Sequence, residues 1–208
     1  MAEYTLHYFP LYARGEPIRM LLAHADVQFE DNRITMDDWK NHKASMPNGQ
    51  LPALELKDGT RVGQSNAIMR MLGMKYGYYP TDPMEAFKSD ELSDYYLDIM
   101  GKVYPPFFKP EDQREAMYPE IFDNVLPKFL DLIDPHCAKG QFIVGEKLCV
   151  ADFWIGGLYT TFFSNPAVGF AKDRFDAILA KYPNFQAYGE RFAAANEKWI
   201  STRVPAPI

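Results

Sequence analysis

Tyr8 ends a β-rich run, Tyr4-Thr5-Leu6-His7-Tyr8-Phe9, with Pro10 behind it. A phenol at a strand end can donate a hydrogen bond to an anion and favour the charged form of what it touches. Arg14-Gly15 turns the chain a few residues later, and Gly49-Gln50-Leu51-Pro52-Ala53-Leu54 then leads into Gly63-Gln64-Ser65-Asn66. A Leu-Pro dipeptide thus precedes an edge strand, and a Gln-Ser pair stands at a helix start. Free N–H groups and the helix dipole attract a carboxylate there. Together these groups suit a small peptide thiol, with Tyr8 acting on its sulfur.

Such groups need elements to hold them. Glu16 to Ala25 reads as a helix with Ile18, Leu21, Leu22 and Ala25 on one face. Gln28 to Ile34 reads as a second strand anchored by Phe29 and Ile34, and Met36 to Ser45 as a short irregular helix. Ala53 to Leu56 and Arg61-Val62 are strands joined through Asp58-Gly59, a hairpin signal. Ser65 is expected to cap a helix through Met74. Alternation followed by a hairpin predicts a mixed sheet with helices on both faces.

Composition changes at Gly77-Tyr78-Tyr79-Pro80-Thr81-Asp82-Pro83. Asp82 is placed to cap a helix, with Pro83 first inside it and Glu85 completing a box-like pattern. Leu92, Tyr95, Tyr96, Ile99, Met100 and Val103 then recur at helical spacing. So do Ile121, Phe122, Val125, Phe129, Leu132 and Ile133, on a helix that Pro127 should kink. Further helices are expected near Val150 to Phe163, Arg174 to Lys181 and Phe185 to Lys198. The reading is therefore two domains, 1–76 and an all-helical 84–208, joined by a linker at 77–83. Phe153 to Ala171 carries no charge and approaches the ~20 residues of a membrane span. Its Gly156-Gly157 and Ser164-Asn165-Pro166 favour the central core helix of the second domain.

The 208 residues carry a formal net charge of -6 and no basic run, which disfavours nucleic acid or an anionic membrane surface as partner. Met1-Ala2-Glu3-Tyr4 lacks the basic and apolar regions of a secretory signal. Cys137 and Cys149 are the only cysteines and form no C-x-x-C pair, so neither a disulfide framework nor a cysteine metal site is expected. A cytoplasmic location fits best.

Taken in order over essentially the full length, these motifs resemble the cytosolic glutathione transferases of the tyrosine type, nearest the sigma and pi classes. Tyr8-Phe9-Pro10, Arg19-Met20-Leu21-Leu22-Ala23, Gly49-Gln50-Leu51-Pro52 and Gln64-Ser65-Asn66 carry the likeness, with Phe142-Ile143-Val144-Gly145 and Val150-Ala151-Asp152-Phe153. The resemblance implies an α/β thioredoxin-like N-terminal domain and an all-α C-terminal domain. It implies glutathione as co-substrate, with no further cofactor and no metal, and a homodimer.

The resemblance also distributes roles. Tyr8 would stabilise the glutathione thiolate, since the thiolate is the nucleophile. A free thiol of pKa ~8.5 is only a few per cent ionised at neutral pH, so lowering it by ~2 units gains roughly thirtyfold. Part of that returns as lost nucleophilicity. Arg14 would support the phenol with its charge. Gln64 and Ser65 would take the γ-glutamyl end, Trp39 and Lys43 the glycyl carboxylate, and Gln50 a further hydrogen bond. Leu51, before a cis Pro52, would pair with the cysteinyl backbone as an added strand does. Asp98 would reach the glutathione of the neighbouring subunit. Taken alone, Ser65 is also a plain cap, Trp39 a core aromatic, and Lys43, Arg14 and Asp98 surface charges. Asp152 and Leu148 match the family's capping box and hydrophobic staple, with Cys149 where Ser or Thr is usual.

For the electrophile, Phe9, Tyr12, Met100, Gly101, Tyr104 and Phe107 are the candidates beside Arg14, with Pro205 or Ile208 as a lid. The sigma-class prostaglandin D synthases carry a pocket tryptophan where this chain has Tyr104-Pro105-Pro106-Phe107, which disfavours isomerisation. Asn48 stands where pi-class relatives have an aromatic dimer key, so a polar interface is expected. The leading expectation is glutathione conjugation to hydrophobic electrophiles. The alternatives are a prostaglandin D synthase-like isomerase and a non-enzymatic carrier or crystallin-like relative. A cysteine-type redox enzyme has no nucleophile before residue 137.

Overall fold

The computed structural model describes residues 2–206 and 208, with Phe170 described by its backbone alone. Strand β1 (Tyr4–Tyr8) lies at the centre of a four-stranded sheet, parallel to β2 (Phe29–Arg33) and antiparallel to β3 (Ala53–Leu56). Strand β4 (Arg61–Gly63) closes the other edge, giving the order β2-β1-β3-β4. Leu6 faces Asp31 on one side and Leu54 on the other, and both leucines are fully buried. Helix α1 (Glu16–His24) connects the parallel pair and packs on α3 (Ser65–Tyr76), while α2 (Trp39–His42) follows β2. A small separate cluster of Ile34, Met46 and Ala53, with Trp39 and Leu51 against it, seats α2.

The second half is helical. Helix α4 (Pro83–Val103) begins at Asp82, whose side chain accepts from the N–H groups of Met84 and Glu85 at 2.9 and 3.0 Å. Asp82 therefore does the capping, and the reciprocal bond expected from Glu85 is not found among the described residues. Short helix α5 (Glu111–Arg114) precedes a wide π-turn segment at Glu120–Val125, and α6 (Leu126–Cys137) follows. Pro127 sits in the first turn of α6, so the irregularity lies just upstream of it, where its missing N–H leaves a carbonyl unserved. Leu132 departs from the expected stripe and is 46% exposed; Leu126, Phe129, Leu130 and Ile133 form the buried face.

Helix α7 (Val150–Leu158) is buried at every position and continues as a π segment to Phe163, where Ser164-Asn165-Pro166 ends it. It packs against α4, against α1 of the sheet domain, and against α9 (Pro183–Ala195). A Cβ on Gly156 would stand 2.2 Å from Phe192, so only glycine lets α7 and α9 approach this closely. No helix among the described residues is long and apolar enough to cross a membrane. Helices α8 (Lys172–Leu179) and α10 (Glu197–Ile200) complete the domain.

Fully buried Asp152 is the polar pivot of this core. Its carboxylate accepts from the N–H groups of Ile143 and Cys149, both at 2.8 Å, and from the Tyr188 hydroxyl at 2.9 Å. Cys149 and Asp152 form the expected capping box at the start of α7. Burial raises the Asp152 carboxyl above its usual range, against the pull of those donors. Both cysteines are free and buried, and desolvation pushes both thiols up.

Candidate functional site

Tyr8 reaches the site because β1 stops there. Its carbonyl accepts from the Ile34 N–H at 2.8 Å, which holds the strand end against the chain leaving β2. The chain then folds back in a turn at Ala13–Gly15, with Ala13 at φ 33°. That turn aims the Arg14 main-chain N–H at the Tyr8 hydroxyl oxygen, 3.2 Å away. Support for the phenol was expected from the Arg14 side chain; the direct contact comes from the backbone instead, and the residue is exposed. Gly15 is required by the ring, since a Cβ there would lie 2.5 Å from Tyr8 Cδ1. The Arg19 guanidinium carbon lies 5.7 Å from the ring centroid. Burial raises the Tyr8 hydroxyl above its usual value, partly offset by the Arg14 N–H and by the Arg14 and Arg19 charges. Tyr8 is thus a neutral phenol at physiological pH, with its proton available to donate.

The groups expected to hold a peptide converge from three segments. Leu51–Pro52 is cis, and the Leu51 backbone has no partner among the described residues. Gln64 donates from Nε2 to Gln50 Oε1 at 3.1 Å, joining the turn before β3 to the start of α3. Ser65 is not the cap of α3. Gln64 holds that position at φ 68°, its carbonyl accepting from Ile68 N–H at 2.9 Å, and its side chain makes no capping bond. Ser65 is the first helical residue and is buried. The α3 N-terminus therefore keeps donors for a ligand. Trp39 is half-buried, edge-on to Phe9 at 5.7 Å. Lys43 is exposed, with its stem passing Gly49. Asp98 is exposed on α4, one turn beyond Asp94, whose carboxylate takes the Asn66 side-chain amide.

Beside this lies an apolar cavity of about 340 Å³ lined by Pro10, Leu11, Met36, Phe107, Phe108, Arg114 and Ile208. Of the six residues expected to meet an electrophile, Phe107 alone lines it, and Ile208 of the two proposed lids. Phe9 covers Trp39, while Met100 is fully buried in the core. Tyr12 is buried beneath the Arg203 guanidinium, 4.1 Å from its ring centroid, and Gly101 faces open space. The Tyr104 hydroxyl bonds that of Tyr96 at 3.1 Å, and Pro205 is exposed. Met36 and Phe108 escape a sequence reading because they stand between the α-helices and strands, and each is more than half exposed.

A thioredoxin-like sheet with a phenol at the end of its first strand, joined to a helical domain, defines the class. The N-terminal domain model of the glutathione S-transferases matches residues 2–73, and their C-terminal domain model matches residues 97–201. The chain belongs to the glutathione S-transferase family. It is 33% identical to hematopoietic prostaglandin D synthase of Gallus gallus over the whole of both chains. It is 32% identical to S-crystallin 3 of Enteroctopus dofleini, over 73% of this chain and 77% of that one. The solved sigma-class transferase of Fasciola hepatica superposes with a TM-score of 0.82 at 26% identity, covering 99% of each chain. Its relatives are thus sigma-like.

Proposed function

We propose that this protein is a glutathione transferase that conjugates glutathione to hydrophobic electrophiles. Residues 1–76 bind the tripeptide, 77–83 link, and 84–208 supply the second substrate's wall together with Pro10, Leu11 and Met36. The observation that carries this reading is the Tyr8 hydroxyl, accepting from the Arg14 N–H at the end of β1, in the sheet whose next strand is entered through cis Leu51–Pro52. Tyr8 donates to the glutathione sulfur, the thiol proton leaves to water, and the thiolate displaces the leaving group of the electrophile. Gln64, Ser65 and the α3 N-terminus take the γ-glutamyl carboxylate; Trp39, Lys43 and Gln50 hold the rest of the peptide. Asp98 completes the site of a second protomer in a homodimer, and the protein acts in the cytoplasm.

The test is turnover of an aryl halide with glutathione. Tyr8→Phe removes a hydrogen bond to a charged group worth about 1.5–3 kcal/mol, so kcat/KM falls roughly ten- to a hundredfold while the affinity for glutathione holds. Near-unchanged turnover in that variant removes Tyr8 from the chemistry. A second reading, a prostaglandin D synthase-like isomerase, draws on the full-length likeness to the Gallus gallus synthase. A non-enzymatic role draws on the S-crystallin likeness, and ligand uptake without turnover of any electrophile decides for it.

A further inference from the structure

We propose that Arg203, in the C-terminal segment, is a positioning residue for Tyr8: it neutralises Glu16 and so leaves the Arg19 charge free to act on the Tyr8 ring. This rests on Tyr8 being the group that meets the glutathione sulfur. Glu16 and Arg19 both lie on α1, and both are fully buried. Glu16 Oε2 accepts from Arg19 Nη1 at 3.2 Å, and its Oε1 from Arg203 Nη1 and Trp199 Nε1, both at 2.9 Å. Arg19 is further tied by Nε to Asp31 at 2.9 Å and by Nη1 to the Leu11 carbonyl at 2.8 Å. Its Nη2 is buried without a hydrogen-bond acceptor among the described residues, and the Tyr8 ring lies beside that guanidinium.

The arrangement is a charge balance. A buried carboxylate with one cationic partner cancels that partner's field; with two, it leaves one positive charge over. Asp31 is shared with Arg33 at 2.8 Å, so Arg19 is not cancelled from the β2 side either. The other ionisable groups facing Tyr8 are Arg14 from its turn, and Tyr96 and Tyr104 from α4 and its end; burial keeps both phenols neutral. Arg203 is itself a built contact. Nη2 donates to the Thr160 carbonyl at 2.7 Å, the guanidinium covers Tyr12, and its side chain is 7% exposed. The same segment is fixed again where Asn165 Nδ2 donates to the Ala206 carbonyl at 3.0 Å and Tyr12 N–H to the Ile208 carbonyl at 2.5 Å. Ile208 lines the apolar cavity. One segment thus both walls the second substrate's cavity and sets the charge next to the thiol.

The experiment titrates the ultraviolet absorbance of the thiolate of bound glutathione in the wild type, R203Q, E16Q and R203K. Removing the Arg203 charge raises the apparent pKa of the bound thiol by about half a unit, so kcat/KM at pH 6.5 falls roughly threefold. E16Q moves the pKa down by a similar amount, and R203K stays at the wild-type value. Shifts of opposite sign from neighbouring deletions are something loosened packing does not produce. If both neutral variants move the same way, or neither moves, while the wild type titrates well below free glutathione, the assignment to Arg203 is wrong. If the wild type shows no lowered thiol at all, the Tyr8 reading itself fails, and this proposal with it. Should R203Q not fold, the double variant E16Q/R203Q is compared with E16Q: loss of the Arg203 charge raises the thiol pKa back toward the wild-type value, and no rise overturns the assignment.

Discussion

Tyr8 combines two properties that pull against each other. It is buried enough to hold its proton, yet it accepts an N–H from Arg14 that makes the proton easier to share. Burial therefore shifts its own ionisation above the ordinary tyrosine value. The rising, acidic limb of the kcat/KM profile should report the bound thiol, and Tyr8→Phe should move that limb up toward the free-thiol value of ~8.5. A profile whose limb stays in place without the hydroxyl would assign the lowering to the arginines instead. Position 8 was readable in the sequence, because a tyrosine at a strand end before Phe-Pro is a local pattern. The Glu16–Arg19 pair was not, since an i,i+3 ion pair on a helix ordinarily faces water. A signal existed all the same: Ile18, Met20, Leu21 and Leu22 leave α1 no polar face for Arg19 to occupy.

At the scale of elements, the turn between β1 and α1 does more than connect. It carries Arg14, and it seats Gly15 against the Tyr8 ring. Gly15→Ala forces the ring or the turn to shift, at a cost of about 1–3 kcal/mol typical of overpacking. Turnover should fall well beyond that of a surface variant, while the affinity for glutathione, which the proposed site draws from α2 and α3, holds. Calorimetric binding beside kinetics separates the two, and loss of both together would show that the turn supports the whole sheet. Elements of this kind were legible where their signals are local: Asp82-Pro83 at the start of α4, Asp58-Gly59 in the hairpin, Cys149 and Asp152 at α7. The cavity was not. Pro10 and Leu11, Met36, Phe107 and Phe108, Arg114 and Ile208 come from five stretches of chain that no periodicity joins. Ser65 misled for a related reason: a left-handed Gln64 shifts the helix start by one residue, and nothing in a Gln-Ser pair announces that backbone.

For the whole molecule, two histidines of the sheet domain carry the acid response: His24, exposed where that domain meets α7, and His7, buried within the sheet. His24 bonds the Tyr78 hydroxyl at 2.6 Å and lies edge-on to Phe153 of α7 at 6.1 Å. His7 is buried in the sheet between Glu55 and Asn32. Desolvation lowers both below the ordinary value of 6.5. Below that value the unfolded chain binds more protons than the folded one, so stability falls as pH drops through 6.5 toward the lowered folded values. Asp152 works in the opposite sense, its raised carboxyl favouring the folded state as pH falls toward its unfolded value. Thermal unfolding at pH 7.5 and 5.5 should show a decline that His7→Gln and His24→Gln each reduce; an unchanged slope in both would place the acid sensitivity elsewhere. The two thiols carry a different consequence. Cys137 and Cys149 are shut inside the helical core and kept protonated by it. The helical core thereby offers an electrophile no cysteine sulfur, and the two cysteines become a clock: they are alkylated only as fast as the helical domain opens.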